Sequence, residues 1–358
     1  MSVPAFNTYD IPEEAHEVAG GTLNERQIET MCAIQDWPTE KGGLGGWRHF
    51  RNACKQWWGN AEDNPVIWKE GGNTNYWLED QVRSLVSREY ETKVGNTRVR
   101  FISWTGCGAA GKTFASGLFG TLFWLYRPQE TCVILTSTSK AAIRRRVWPV
   151  IQRLHDSMWL GDTGRAYRFG NLVESKTMWQ WRRGDDKRGI FAVAVEQGEL
   201  QSALDRIKGI HLPYVMLVVD EANTTPEAIF ECVSNYTKGC KTFIFLAIAN
   251  AVSRLDNHGR CCEPKAGWGS VSIDSEQWET RGVTKWQVGP GHCLRFDGVK
   301  SPNVKVGKTI FPFLYTWENF CNARDHGDIN TIPYWSQERG FWPPEGTTYT
   351  VFNEPMLV

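Results

Sequence analysis

Gly106-Cys107-Gly108-Ala109-Ala110-Gly111-Lys112-Thr113 is the stretch on which the fold turns. Two glycines bracket four residues and are followed by Lys and Thr, the pattern of a phosphate-binding loop. Small residues let backbone N–H groups point inward around a phosphate chain, and the following helix adds its positive N-terminal end. Lys112 is then placed to neutralise the β and γ phosphates, and Thr113 to put its hydroxyl on a magnesium ion whose other ligands are waters and phosphate oxygens. The flanks agree with this requirement. Residues 98–104 alternate as a strand does, and residues 112 to about 126 read as a helix stopped by Pro128.

The same unit repeats downstream in outline. Residues 131–136 form a short apolar run, and 139 to about 156 an amphipathic helix, rich in Arg on one side, that contains Arg144, Arg145 and Arg146. Upstream, Trp77, Leu78, Gln81, Val82, Leu85 and Val86 recur at helical spacing and place a helix at about 75–90. Residues 166–196 alternate in short stretches separated by Gly170-Asn171 and by the turn-like 182–189, which predicts strands joined by turns. Two continuous apolar runs, 214–219 and 242–249, have the length of central strands covered on both faces. Helices alternating with such strands predict a mainly parallel α/β sheet. Beyond 255 the chain is rich in Gly, Trp and Pro with weak periodicity, apart from a helix expected near 317–324.

The run 215–219 ends in Asp220-Glu221. In phosphoryl transfer the first acid holds magnesium through water and the second polarises the attacking water. The run 243–249 ends in Asn250, a polar residue at a strand end that is placed to sense the γ phosphate.

Composition sets the outer limits. The chain has 358 residues, enough for one large domain or two small ones, and its 18 Trp and 17 Phe exclude a disordered or low-complexity chain. Lys plus Arg and Asp plus Glu balance at 40 each, so any contact with a polyanion must come from a local patch. The first residues lack the basic and apolar regions of a signal peptide, and no apolar stretch approaches the roughly 20 residues that cross a bilayer. Ten cysteines in such a chain fit a reduced, cytoplasmic setting. Cys261 and Cys262 lie near His258 and His292-Cys293, but adjacent cysteines lack the gap that presents two thiolates to one zinc ion.

Taken together, these segments resemble the ATPase domain of the large terminase subunits that package DNA into tailed-phage capsids. The resemblance covers roughly residues 75–345. It rests on GCGAAGKT, on ILTSTSKAAIRRRVW (134–148), on SALDRIKGIHLPYVMLVVDEA (202–222), on FLAIAN (245–250) and on YWSQERGFWPPEG (334–346). It implies a P-loop NTPase fold of the ASCE, RecA/helicase-like type, with a mainly parallel central sheet flanked by helices, a small N-terminal lead-in and a C-terminal lid. It implies that Gly106 to Thr113 bind ATP and Mg2+, that Asp220 completes the magnesium site, that Glu221 is the catalytic carboxylate and that Asn250 couples hydrolysis to movement. Gln81 stands where the family keeps a glutamine that reads adenine. An arginine finger from a neighbouring subunit is expected, with Arg206 as first choice and Arg144, Arg145 and Arg146 behind it. The implied partners are double-stranded DNA, a portal protein, a small terminase subunit and further copies in a ring. The implied setting is the host cytoplasm, with transient docking on the procapsid and exclusion from the mature virion.

The sequence departs from the family in two ways. The phosphate loop carries no basic residue before Lys112, and the family's metal-dependent nuclease domain does not follow, so no DNA cleavage is expected of this chain. The expected organisation is a polar lead-in over 1–60, an ATPase domain over 61–335 whose lid occupies about 255–335, and the start of a linker over 336–358. The Trp-rich end of the lead-in suggests a lid over the nucleotide or a subunit contact. Two alternatives stay open: a helicase or translocase of the same superfamily, for which the roughly 100 residues after Asn250 are too few to form a second RecA-like domain comfortably, and a nucleotide-gated assembly protein, which has no need of Glu221.

Overall fold

The computed structural model describes residues 50–344 and 347, apart from 52, 56, 60–65, 161–164, 167–168, 197–199, 284 and 288. Most of the polar lead-in and most of the expected linker therefore lie outside the described residues. The chain is a mixed α/β structure built on a ten-stranded sheet. Its strands are β1 (Glu91–Val94), β2 (Thr97–Gly106), β3 (Thr131–Ser137), β4 (Asn171–Val173), β5 (Met178–Gln180), β6 (Gly189–Ala194), β7 (Tyr214–Asp220), β8 (Thr242–Ala249), β9 (Gln277–Thr280) and β10 (Gly291–Phe296).

Along the sheet the order is β9-β10-β2-β8-β7-β3-β6-β5-β4, with β1 folded back antiparallel on β2. The strands from β10 to β6 are parallel, and the two flanks are antiparallel. Strand β8 lies between β2 and β7, so the loop after β2 and the acids ending β7 sit two strands apart at the same end of the sheet. The register sets Asp220 beside Ile248, and Ile248 beside Trp104.

The central runs are continuously apolar because both faces are covered. Ile102, Trp104, Met216, Val218, Ile244 and Leu246 face one core, which takes in α1 (Tyr76–Val86), α2 (Lys112–Tyr126) and residues from the helix Trp148–Asp156. Val99, Phe101, Leu217, Phe243 and Phe245 face the other, under the helices Leu200–Lys208 and Val233–Gly239. The Trp-rich end of the lead-in belongs to the first core. Trp57 and Trp58 are fully buried, and Trp58 Nε1 donates to the Leu154 carbonyl at 2.8 Å. This core packing replaces the expected lid or subunit contact for these two residues.

Three further differences from the sequence expectation have physical causes. Helix α1 stops at Val86, where its apolar spacing ends; Ser87 is extended and Arg88–Tyr90 forms a 3-10 turn. The helix expected over 139–156 is interrupted by a π-helical turn, Ile143–Val147. Pro149 has no N–H to give the carbonyl four residues earlier, so the turn before it widens. Strands β9 and β10 lie inside the stretch expected to be a lid, and β10 extends the central sheet beside β2. β10 carries His292 and Arg295, which hides its strand character in the sequence. Both are buried, and Arg295 is ion-paired with the equally buried Asp297 at 2.5 Å.

Candidate active site

The loop after β2 is held in shape by glycines and by three distant segments. Ala109 and Gly111 have positive φ values of 56° and 74°, which bend the backbone into a cup. Cys107 N donates to the Phe296 carbonyl at 2.9 Å, Gly108 N to the Gln337 carbonyl at 2.7 Å, and Ala109 O accepts from Tyr315 N at 3.0 Å. Gly340, at φ 54°, passes so close that a Cβ there would lie 2.5 Å from Cys107 N and from Gly106 Cα. Only glycine permits that approach. Burial pushes the Cys107 thiol up to about 12, which makes it an inert filler beneath the loop.

Helix α2 begins at Lys112 with Gly111 as its cap, so no side chain closes its first amides. Lys112 is buried, and its Nζ donates to Gly106 O at 3.2 Å, to Cys107 O at 3.1 Å and to Asn250 Oδ1 at 3.0 Å. Burial lowers its pKa, opposed chiefly by Cys107 and then by the Asp220 and Glu221 carboxylates. Thr113 Oγ1 donates to Asp220 Oδ1 at 3.3 Å. Asp220 Oδ2 is buried without a hydrogen-bond partner, and burial followed by repulsion from Glu221 pushes the carboxyl up to about 6. A buried carboxylate oxygen with no donor, beside a hydroxyl bonded to the other oxygen of the same carboxylate, is a suitable place for a hard divalent cation. Thr113 and Asp220 therefore fit Mg2+, which would need waters and phosphate oxygens as its other ligands. Among the described residues no group of three or more His, Cys, Asp and Glu side chains is placed to hold a metal by themselves. That includes the cysteine cluster, where Cys262 Sγ instead lies 3.5 Å from His258 Nε2 in the core.

Glu221 turns away from β7 in the left-handed region, at φ 57°. For a non-glycine residue this is a strained conformation, and such strain gathers at functional sites. The turn is held by Thr224 and Thr225, both of which donate from backbone and hydroxyl to Glu221 O, and by Ala222 N on Ile248 O. The Glu221 carboxylate projects to the half-exposed mouth of the site and is ion-paired with Arg146. Arg146 arrives there on the π-helical turn after β3.

The structure thus brings together Gly106 to Thr113, Asp220, Glu221 and Asn250. Gln81 is also present, buried on α1, where its Nε2 donates to the Ala110 carbonyl at 3.0 Å and braces the loop. Arg206 is not at this centre of its own chain. It lies on the helix Leu200–Lys208 with its guanidinium 5.4 Å from the Phe191 ring, near Cys132 at the opposite end of β3. Gln337 had no role in the sequence reading. Its Oε1 accepts from Asn250 Nδ2 at 2.9 Å, so Lys112, Asn250 and Gln337 form one hydrogen-bonded chain. The sequence signal lay in the polar Ser336-Gln337-Glu338-Arg339 set among aromatic residues and closed by Gly340.

No family model matches the chain, and neither a curated protein nor a solved structure matches it. Among the described residues no helix is long and apolar enough to cross a membrane.

Proposed function

We propose that this chain is a Mg2+-dependent ATPase of the ASCE, helicase-like branch of P-loop enzymes, acting as the motor that drives double-stranded DNA into a viral procapsid. The observation that carries the ATPase reading is the convergence of Lys112, Thr113, Asp220 and Glu221 at the ends of β2 and β7, with β8 inserted between them. The inserted strand leaves room between loop and acids for a water to attack in line with the leaving phosphate. ATP is the substrate. Its phosphates take the amides of 109–113 and the Lys112 ammonium. Thr113 and Asp220 would hold Mg2+, which would neutralise charge on the phosphate oxygens. Glu221 accepts the proton of the attacking water once Arg146 has released it. Asn250, which touches Lys112 directly, passes the loss of the γ phosphate to Gln337 and the segment 334–341. The packaging role rests on the resemblance of the five segments to large terminases. Portal, small subunit and ring assembly belong to the same proposal, as do the host cytoplasm and the procapsid as the place of action.

The test is ATP turnover per subunit against protein concentration, with saturating duplex DNA and a Glu221→Gln control. Turnover that rises with concentration and dies in the variant supports a ring motor whose sites are completed between subunits. Turnover that survives Glu221→Gln overturns the assignment of the catalytic carboxylate. Turnover that needs Glu221 but is flat with concentration favours a self-sufficient translocase.

A further inference from the structure

A groove of about 890 Å³ runs along the sheet edge where β5 covers only the lower part of β6. Met178, Val193 and Ile210 are among the apolar residues that line it. Its rim carries five cationic side chains, Lys140, Arg144, Lys176, Lys187 and Arg206, against two carboxylates, Asp186 and Asp205. In a chain whose charges balance overall, this is a local excess of positive charge. Asp205 is already engaged by Gln201 Nε2 at 2.8 Å. Among the described residues, Arg144, Lys176, Lys187 and Arg206 have no carboxylate at ion-pair distance. Arg206 is the informative one. Its guanidinium is half-buried over Phe191, and burial lowers its pKa with only Cys132 and then Asp186 opposing. A partly desolvated cation with no carboxylate at ion-pair distance is costly, and an anion from outside would lower that cost.

The shape identifies the anion. The cations span the length of β6, from Lys187 at the hairpin before it to Lys140 and Arg144 beside its far end. Six residues of strand cover about 17 Å. A single phosphate would meet one or two of these cations, whereas one strand of a duplex presents a phosphate about every 3.4 Å along the axis and meets them all. From this geometry we propose that the groove between the helix Leu200–Lys208 and the β5–β6 edge binds the phosphate backbone of double-stranded DNA, with Arg206 as its central anchor. The inference rests on the DNA-motor reading and adds to it the surface that grips. No base edge is needed, so the contact is independent of sequence.

The test is fluorescence anisotropy of a labelled duplex of about 30 base pairs, with the full chain, between about 50 and about 200 mM salt. Lys176→Glu with Lys187→Glu reverses two exposed charges, and Arg206→Gln removes the anchor; melting temperature checks folding in each. The expected result is at least about a tenfold loss of affinity, with a salt slope smaller by about one for each contact removed. Unchanged affinity and slope in both folded variants overturn the groove and leave the motor reading intact. A wild-type chain that turns over ATP through Glu221 but binds no duplex at the lowest salt overturns the motor reading, and the groove with it.

Discussion

Arg146 is ion-paired with Glu221, so the carboxylate assigned to activate water is already occupied. Both side chains are more than one-third exposed, which limits such a pair to about 0.2–1 kcal/mol. Arg146→Gln should therefore raise DNA-free ATP turnover by no more than about fivefold, and Arg146→Lys should return most of the restraint. A fall in turnover instead would mean that Arg146 stabilises the transition state rather than holding Glu221 back.

The chain Lys112, Asn250, Gln337 separates binding from coupling. Gln337 holds Gly108 through its backbone carbonyl, which a substitution leaves in place, and meets Asn250 through its side chain. Gln337→Ala should leave ATP affinity within about twofold and slow turnover by about fivefold, the worth of one neutral hydrogen bond. A large loss of affinity with unchanged turnover would contradict this division.

Gly340 tests how tightly the closing segment supports the loop. An alanine there would carry a Cβ at 2.5 Å from Cys107 N on a backbone with φ 54°. Gly340→Ala should cost about 1–3 kcal/mol of stability and weaken nucleotide binding together, because strand end and loop must part. Calorimetric unfolding and nucleotide titration on the same sample would reveal a stability loss without an affinity loss, which would detach this segment from the site.

Much of this centre was legible because its chemistry is local in sequence. Loop and acids each end an apolar run, and two-sided burial makes such runs visible. What was hidden depended on long-range contacts. Strand β10 reads as polar because it carries His292 and Arg295, and Arg295 can be buried there only because it pairs with Asp297 and donates to the carbonyls of Gly340, Arg339, Ile273 and Ser275. The π-helical turn that carries Arg146 to Glu221 depends on Pro149, whose effect falls on the preceding turn. Gln337 gains its place only once the segment 334–341 folds back some 230 residues onto the phosphate loop, and no periodicity announces such a contact. Trp57 and Trp58 were conspicuous in composition, but their burial against Leu154 could not be read from spacing.

Acid should destabilise the fold through His258. Burial, and to a lesser extent Lys112, lowers its pKa to about 3. An unfolded histidine titrates near 6.5, so the unfolded chain takes up the proton first, and stability falls as pH drops from about 6.5 towards 3. The loss is about 1.4 kcal/mol per pH unit for one group. His292, lowered to about 4 by burial, adds to it below 6.5. Asp80, pushed up to about 6 by burial, opposes it between about 6 and 4. The difference between wild type and His258→Gln therefore isolates the residue. The variant should show a shallower acid limb in chemical denaturation from pH 7 to 5, and parallel limbs would refute the assignment.

Asp220 gives the sharpest test of the metal site, because its cost and its use have opposite signs. With its pKa raised to about 6 from 3.8, the ionised carboxylate is penalised in the folded chain. The penalty is fully present above pH 6, fades as pH falls, and is gone below about 4; its full size is about 3 kcal/mol as an order of magnitude. Asp220→Asn removes that charge and keeps an oxygen for Thr113. Without metal at pH 8 the variant should therefore melt higher than wild type, and the two should converge near pH 4. A cation held by Asp220 would add counter-charge beyond that of Arg146 and Lys112, so Mg2+ with ADP should raise the melting temperature of wild type more than that of the variant. If Asp220→Asn instead melts lower without metal, the carboxylate is already satisfied within the fold, and Asp220 is a structural acid rather than a magnesium ligand.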